Sequence, residues 1–189
     1  MLINHFPALA RGYRRGRAGA ALTAVADLGR ATPPFDREAL RLMSRHGCSL
    51  VQALPGALDE LATIDPSFAA LVATLRSAVD EVHEYMDAYR PTARDVPAEA
   101  FTLASRYADC YAVAACVQVW LRNREAAGDG VTAGSWQNQD WLRACLARLA
   151  TRLSPRSRPP SMPPTWTGSC RTCAPSTRRA CCSPCCPAS

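Results

Sequence analysis

Lysine is absent from all 189 residues, although the chain carries 22 arginines. Arginine has mostly CG-containing codons and lysine only AAA or AAG, so the gene is very rich in G and C. Apolar runs near the ~20 residues of a membrane span are missing, which excludes a spanning helix. No Gly-rich phosphate loop and no G-x-G-x-x-G occurs, which removes the sequence basis for a nucleotide fingerprint. No alternating run of β-branched residues points to a strand, and no internal repeat stands out. Met1 to Arg17 has a short apolar stretch before its arginines, the reverse of a signal peptide, so a cytoplasmic protein is expected.

The most telling absences are in residues 154–189. That stretch has no Leu, Ile, Val, Phe, Tyr, Asp, Glu, Asn, Gln or His. It holds seven Ser, eight Pro, six Cys, five Arg and four Thr. With so little apolar material to bury, it should be disordered. The preceding residues are rich in Ala, Leu and Val and carry all 16 acidic groups.

A shift of reading frame accounts for this break. Every Cys and Trp codon begins with TG. Read one base earlier, each becomes NTG, which encodes Leu, Val or Met whatever N is. Cys170, Cys173, Cys181, Cys182, Cys185, Cys186 and Trp166 then all turn apolar. Positions 166, 170, 173, 181 and 185 fall within about 120° on a helical wheel, one face of an amphipathic helix. The alternative is a metal module. Cys170 and Cys173 form one CxxC, Cys182 and Cys185 another, and four thiolates suit tetrahedral zinc. The spacing between the pairs is short, Cys181 and Cys186 are left over, and no histidine is at hand. A zinc-binding adaptor would use this tail.

The net charge of +6 resides mostly in that tail. The first 153 residues balance 17 Arg against 16 acids, which does not favour nucleic-acid binding. Arg11, Arg14, Arg15 and Arg17 form a single basic cluster, read as a solvated helix end or loop. Cys48, Cys110, Cys116 and Cys145 sit among apolar neighbours and read as small core residues of a reducing compartment.

Three segments follow: 1–34 helical or linker, 35–153 a helical bundle, and 154–189 the tail. The fold class is all-α, an antiparallel helical bundle with a disordered Pro/Ser/Cys/Arg-rich C-terminal tail. Leu22 to Leu28 is moderately apolar and ends at Gly29, and Thr32-Pro33-Pro34 is a linker. Asp36 caps a short helix from Arg37 to about Ser44, stopped at Gly47. Ser49 caps the next, which Pro55 kinks or divides. Asp65-Pro66 is a cap followed by proline at the first helical position. Phe68, Leu71, Val72, Leu75, Val79, Val82, Met86 and Tyr89 then keep three-and-four spacing, with Arg76, Asp80, Glu81, Glu84 and Asp87 opposite, until Pro91. Pro97 opens a helix running to about Glu125. Its second half, Cys110 to Leu121, is almost wholly apolar and should be surrounded by other helices. Ala104, Ala108, Ala112 and Ala115 form a small-residue face on which two copies could pair, a homo-oligomer through helix 97–125. Gly128 to Gly134 is a turn, and Asn138 or Gln139 starts a last helix.

Little in this pattern carries chemistry. Glu81, His83, Glu84 and Asp87 cluster on one helix, but a di-metal bundle needs a Glu-x-x-His from each of two helices. The facing helix offers only Glu99, Asp109 and Glu125, so a solvated face is expected. Ser44, Ser105 and Ser135 lack a nucleophile elbow. Cys110 lies on a buried, nonbasic face that would not activate a thiolate. His5, His46 and His83 are far apart in sequence, and structural or solvent-facing roles are expected for them. No catalytic residue is assigned.

The stretch Phe101 to Arg124, FTLASRYADCYAVAACVQVWLRNR, resembles the C-terminal helical region of acyl-CoA dehydrogenases. It is an Ala-rich helix ending Trp-Leu-Arg-Asn-Arg, preceded by a long amphipathic helix and followed by a loop and another helix. The resemblance covers about Leu58 to Leu153. It implies a parent flavoprotein that uses FAD to form an α,β double bond in an acyl-CoA thioester. In such enzymes a glutamate removes the α-proton and flavin N5 takes the β-hydride. The flavin lies between a helical domain, a β-barrel and the C-terminal bundle. This chain has no β domain, no match around the catalytic glutamate, and none in the segments that hold the adenine dinucleotide. No residue is carried over as catalytic or FAD-binding, and no cofactor is expected on this chain alone. Met1 is then expected to be an internal start. A freestanding helical interaction protein is the rival from another class.

Overall fold

The computed structural model describes residues 2–16, 22, 26–29, 31, 34, 47–90, 96–125 and 139–154. The expected helix from Arg37 to Ser44, the turn from Gly128 to Gly134 and the whole 155–189 segment lie outside the described residues. So do Cys170, Cys173, Cys182 and Cys185.

Among the described residues the protein is helical, without strands. A 3-10 turn, Leu2–His5, leads into α1, Phe6–Arg15. Gly16 closes α1 in the left-handed region at φ 59°, its N–H bonding Tyr13 O. Next come α2, Ser49–Gln52, and α3, Leu54–Ile64. A 3-10 turn, Pro66–Phe68, opens into α4, Ala69–Ala88. Among the described residues the longest helix is α5, Ala98–Asn123, and the last is α6, Asp140–Leu153.

Local chemistry explains most boundaries. Gly47 takes φ 85°, and a Cβ there would come within 2.8 Å of Gln52 Nε2. The torsion disfavours a side chain here, and the Gln52 amide would have to shift to admit one. The expected Ser49 cap is not made. Cys48 occupies the N-cap position in an extended conformation, with no side-chain bond. Pro55 divides rather than kinks. It sits in the first turn of α3, where its missing N–H costs nothing, and α2 stops at Gln52. Asp65 does cap, accepting from the Ser67 N–H at 2.9 Å with Pro66 behind it. Pro97 precedes the first turn of α5 as expected.

Packing follows the apolar stripes. On α4, Val72, Leu75, Val79, Val82 and Met86 are buried, with Phe68 and Tyr89 at the two ends. Helix α4 lies against α1, α6 and α5, while α5 packs on α6, α3 and α2. Phe6 meets Tyr89 edge-on at 5.4 Å, while Tyr13 reaches the earlier His83, so α1 and α4 run antiparallel. Arg106 and Asp109 of α5 reach Leu153 and Arg152 of α6, so that pair is antiparallel too. One continuous core runs from Ile3 through Leu54, Leu58, Leu61 and Trp120 to Leu142, Leu146 and Leu153. Each fully buried aliphatic or aromatic side chain contributes about 1.5–3 kcal/mol relative to exposure.

Two expectations are corrected here. The second half of α5 is not enclosed: Tyr111 is exposed and Ala112, Ala115, Cys116 and Val119 are only half-buried. Of the four body cysteines only Cys110 is buried; Cys48 and Cys116 are half-buried and Cys145 is exposed. Tyr111 and Ala112 lie on the outer side of α5, Cys116 and Cys145 at the rim of the α5–α6 seam, and Cys48 at the start of α2.

Candidate functional site

A buried polar centre joins α1, α4 and α5. It forms because each helix places one ring in its apolar stripe. Tyr13 stands seven residues after Phe6 and four after Leu9, and His83 four after Val79 and three before Met86. Tyr107 comes four residues after Leu103. Packed together, the Tyr13 ring stacks on the His83 imidazole at 3.8 Å with planes 13° apart. The Tyr107 ring meets the imidazole edge-on at 5.8 Å. The Tyr13 hydroxyl donates to Asp80 Oδ1 at 2.7 Å.

The expectation of a solvated face from Glu81 to Asp87 therefore fails at His83, which is only 2% exposed. Its Nδ1 lies 2.7 Å from Val79 O. A carbonyl only accepts, so Nδ1 carries the proton and donates. Nε2 is left as a buried lone pair with no partner. Burial holds the imidazole neutral, its pKa pushed down to about 4 against the smaller pull of the Val79 bond and Asp80.

The neighbouring groups are neutral as well. Burial, then the bond to Asp80 and its charge, pushes the Tyr13 phenol well above its ordinary range. Burial does the same to Tyr107. The Cys110 thiol is fully buried and pushed up to about 12 by desolvation, with Arg106 opposing weakly. Such a thiol is not a nucleophile near pH 7, as its apolar setting implied. An imidazole with a pKa near 4 is a poor general base there too. The centre's chemistry is that of a neutral, tightly packed polar pin between three helices.

The other acidic positions are tied to arginines or face solvent. Glu81 pairs with Arg106 at 2.8 Å, and Arg106 also donates to Leu153 O at 3.0 Å. Asp87 pairs with Arg14 at 2.5 Å, which holds the Asp87 carboxyl below its usual range. Asp109 accepts from Arg152 at 3.0 Å, and Glu125 pairs with Arg124 at 3.3 Å. Glu84, Glu99 and Ser105 are exposed, and His5 is half-buried. Arg11, Arg14 and Arg15 are exposed on the last turns of α1, where positive charge suits the helix C-terminus. Arg17, Ser44, His46 and Ser135 lie outside the described residues. Among the described residues no three His, Cys, Asp or Glu side chains are placed to hold a metal ion. No described helix is long and apolar enough to cross a membrane.

An open groove of about 600 Å³ runs between α3 and α4, lined by Asp59, Asp80, Glu81 and Glu84 around Arg76. Arg76 is itself engaged, bonding Asp59 and Pro55 O. The FAD that the resemblance implies does not fit this groove. A dinucleotide brings an anionic diphosphate, and four carboxylates around one paired guanidinium would repel it. No flavin step is derived from these residues.

Two further polar positions escaped the sequence reading. Asn123 is buried at the end of α5, its Nδ2 donating to Ala26 O at 2.7 Å and Val119 O at 2.6 Å. Its Oδ1 accepts the Leu28 N–H at 2.8 Å. Gln118 is buried with Oε1 unpartnered. Gln118 was hidden by treating Cys110 to Leu121 as one apolar stretch, and Asn123 lies just beyond it. A lone amide within such a run is the available signal, since a buried amide needs partners from elsewhere.

No family model, no curated protein and no solved structure matches the chain.

Proposed function

We propose that this helical body is the docking end of an acyl-CoA dehydrogenase-like flavoprotein, contributing packing surface rather than the reacting groups. The observation that supports this is the outer side of α5. The stretch resembling that family, Phe101 to Arg124, is nearly all one unbroken helix with an uncovered stripe. Phe101, Ala104, Ala108, Tyr111, Ala112 and Ala115 fall within about 100° of one another around its axis. Phe101 is 53% exposed and Tyr111 46%, while all four alanines are half-buried or exposed. Uncovered large apolar side chains on one stripe of a long helix mark a surface suited to a covering partner. The parent's flavin-bearing domains would supply the cover, the FAD and the acyl-CoA site.

Sequencing the gene on both sides of the body tests this. The expected result is flavin-domain coding upstream of Met1 in some frame, and a leucine-rich amphipathic helix in a shifted frame after codon 153. An upstream region with no such coding in any frame would remove the reading.

A second reading has its own support: the stripe is complementary to itself. If two α5 helices cross antiparallel about Tyr111 and Ala112, Tyr111 of one meets Ala112 of the other. Ala115 then faces Ala108, Val119 faces Ala104, and the exposed Arg122 lies over Phe101. Large side chains meet small ones, and a cation meets an aromatic face. This homodimer is tested by the solution mass of the purified chain. Tyr111→Glu is expected to convert a dimer to a monomer, and a wild-type chain that stays monomeric at high concentration would exclude it.

A further inference from the structure

Helices α5 and α6 share a seam whose register is fixed by an ion pair. Arg152 Nε donates to Asp109 Oδ1 at 3.0 Å. The two helices are antiparallel, so seven residues forward on α5 correspond to seven residues back on α6. Seven residues are two turns, about 10 Å along the axis. That step leads from Asp109 to Cys116 and from Arg152 to Cys145, which places the two cysteines opposite each other across the seam. The two thiols are close enough to interact, Cys145 adding to the effect of burial on the Cys116 thiol. Both are free thiols, Cys145 exposed and Cys116 half-buried. Cys110 is fully buried in the polar centre, away from this seam.

We propose that Cys116 and Cys145 are an oxidisable dithiol that closes into a disulfide stapling α5 to α6, with a small-molecule disulfide as the oxidant. Exposed Cys145 is the attacking thiol. It loses its proton to water and its sulfur bonds one sulfur of the small disulfide, breaking the S–S bond. The first small thiolate leaves and takes up a proton. Cys116 then loses its proton, and its sulfur bonds the Cys145 sulfur and expels the second small thiolate, which is protonated in turn. Two protein thiols are oxidised and one small disulfide is reduced to two thiols. Half-buried Cys116 is less open to a small molecule than exposed Cys145, so it acts in the second, intramolecular step. The closed bond would restrict the chain between residues 116 and 145 and so stabilise the folded state.

The test is to equilibrate the reduced full-length chain with mixtures of reduced and oxidised glutathione, quench with acid, alkylate and digest with trypsin. Cleavage after arginine leaves Cys116 in residues 107–122 and Cys145 in residues 144–148. The expected product is those two peptides joined, two hydrogens lighter than their sum, with fragmentation placing the link at Cys116. The joined peptide should persist in Cys110→Ser and vanish in Cys116→Ala and Cys145→Ser. Oxidation should raise the melting temperature of the wild-type chain. Three results would each overturn the proposal. One is a wild-type map in which Cys145 carries glutathione while Cys116 remains alkylated. Another is Cys145 joined to cysteines 170–186 as readily as to Cys116. The third is no joined peptide at full oxidation.

Discussion

Tyr13 lies flat on His83, 3.8 Å away, and its hydroxyl donates a hydrogen bond to Asp80 at 2.7 Å. One residue of α1 thus engages two faces of α4: the buried side through its ring and the wet side through its oxygen. Asp80 is exposed while His83 is not, so the pair sits at the boundary between core and solvent. Removing the oxygen and removing the ring should therefore have separable effects. Tyr13→Phe keeps the stack and loses the bond to Asp80, at an expected cost of about 1 kcal/mol. Tyr13→Ala should cost about 3–5 kcal/mol, because it also opens a cavity over the imidazole. Urea unfolding of both variants checks the ratio.

His83 makes the fold acid-sensitive. Its folded pKa of about 4 lies below the ordinary value of 6.5, so the unfolded chain binds the proton first as pH falls. Stability is then undiminished above about pH 6.5, declines between 6.5 and 4, and loses nothing further from this group below 4. The shift corresponds to about 3 kcal/mol. His83→Phe should flatten the stability profile across that window when urea midpoints are compared at pH 7.5 and 4.5. A variant as acid-sensitive as the wild type would place the sensitivity elsewhere.

Asn123 pins the 26–28 stretch to the end of α5. Asn123→Ala leaves the Ala26 carbonyl and the Leu28 N–H without that partner, at an expected cost of about 2–3 kcal/mol. Amide hydrogen exchange at Leu28 should speed up strongly, while exchange in the middle of α4 changes only by the global loss of stability.

Arg106 ties three helices together through Glu81 of α4 and the terminal Leu153 carbonyl of α6. Its side chain is only 16% exposed, so the bridge is better shielded than a surface pair. Arg106→Met preserves much of the stem and removes the bonds. The expected loss is about 1–3 kcal/mol, with faster exchange in the last turn of α6. Restoring neutrality with Glu81→Gln in the same chain should recover part of the loss, and a double-mutant cycle measures how much.

The helices were legible where one stripe faces one core. On α4 the run from Phe68 to Tyr89 gives its direction of burial directly, and Asp65-Pro66 marks its start. The expected break at Pro55 was legible, though not whether it would bend or divide. For His83 a structural and a solvent-facing role both stood open, because three acidic neighbours made its segment look solvated; the structure takes the structural one. Its spacing from Val79 and Met86 pointed inward, and only the approach of Tyr13 and Tyr107 made that placement tolerable for an imidazole. Cys145 was misjudged in the opposite sense, since apolar neighbours in sequence did not bring a covering helix.

Helical periodicity, proline positions and the abrupt change of composition at Ser154 are properties of the chain read residue by residue. They determined an all-α body and its main helix boundaries, because backbone torsion and amphipathic spacing act over a few residues. Which rings stack, which carboxylate meets which arginine, and which thiols face each other were decided by tertiary packing alone. Those contacts join residues as many as 97 positions apart, as between Asn123 and Ala26, and depend on helix register. A register is set by the sum of many side-chain contacts across a seam, which no single segment contains.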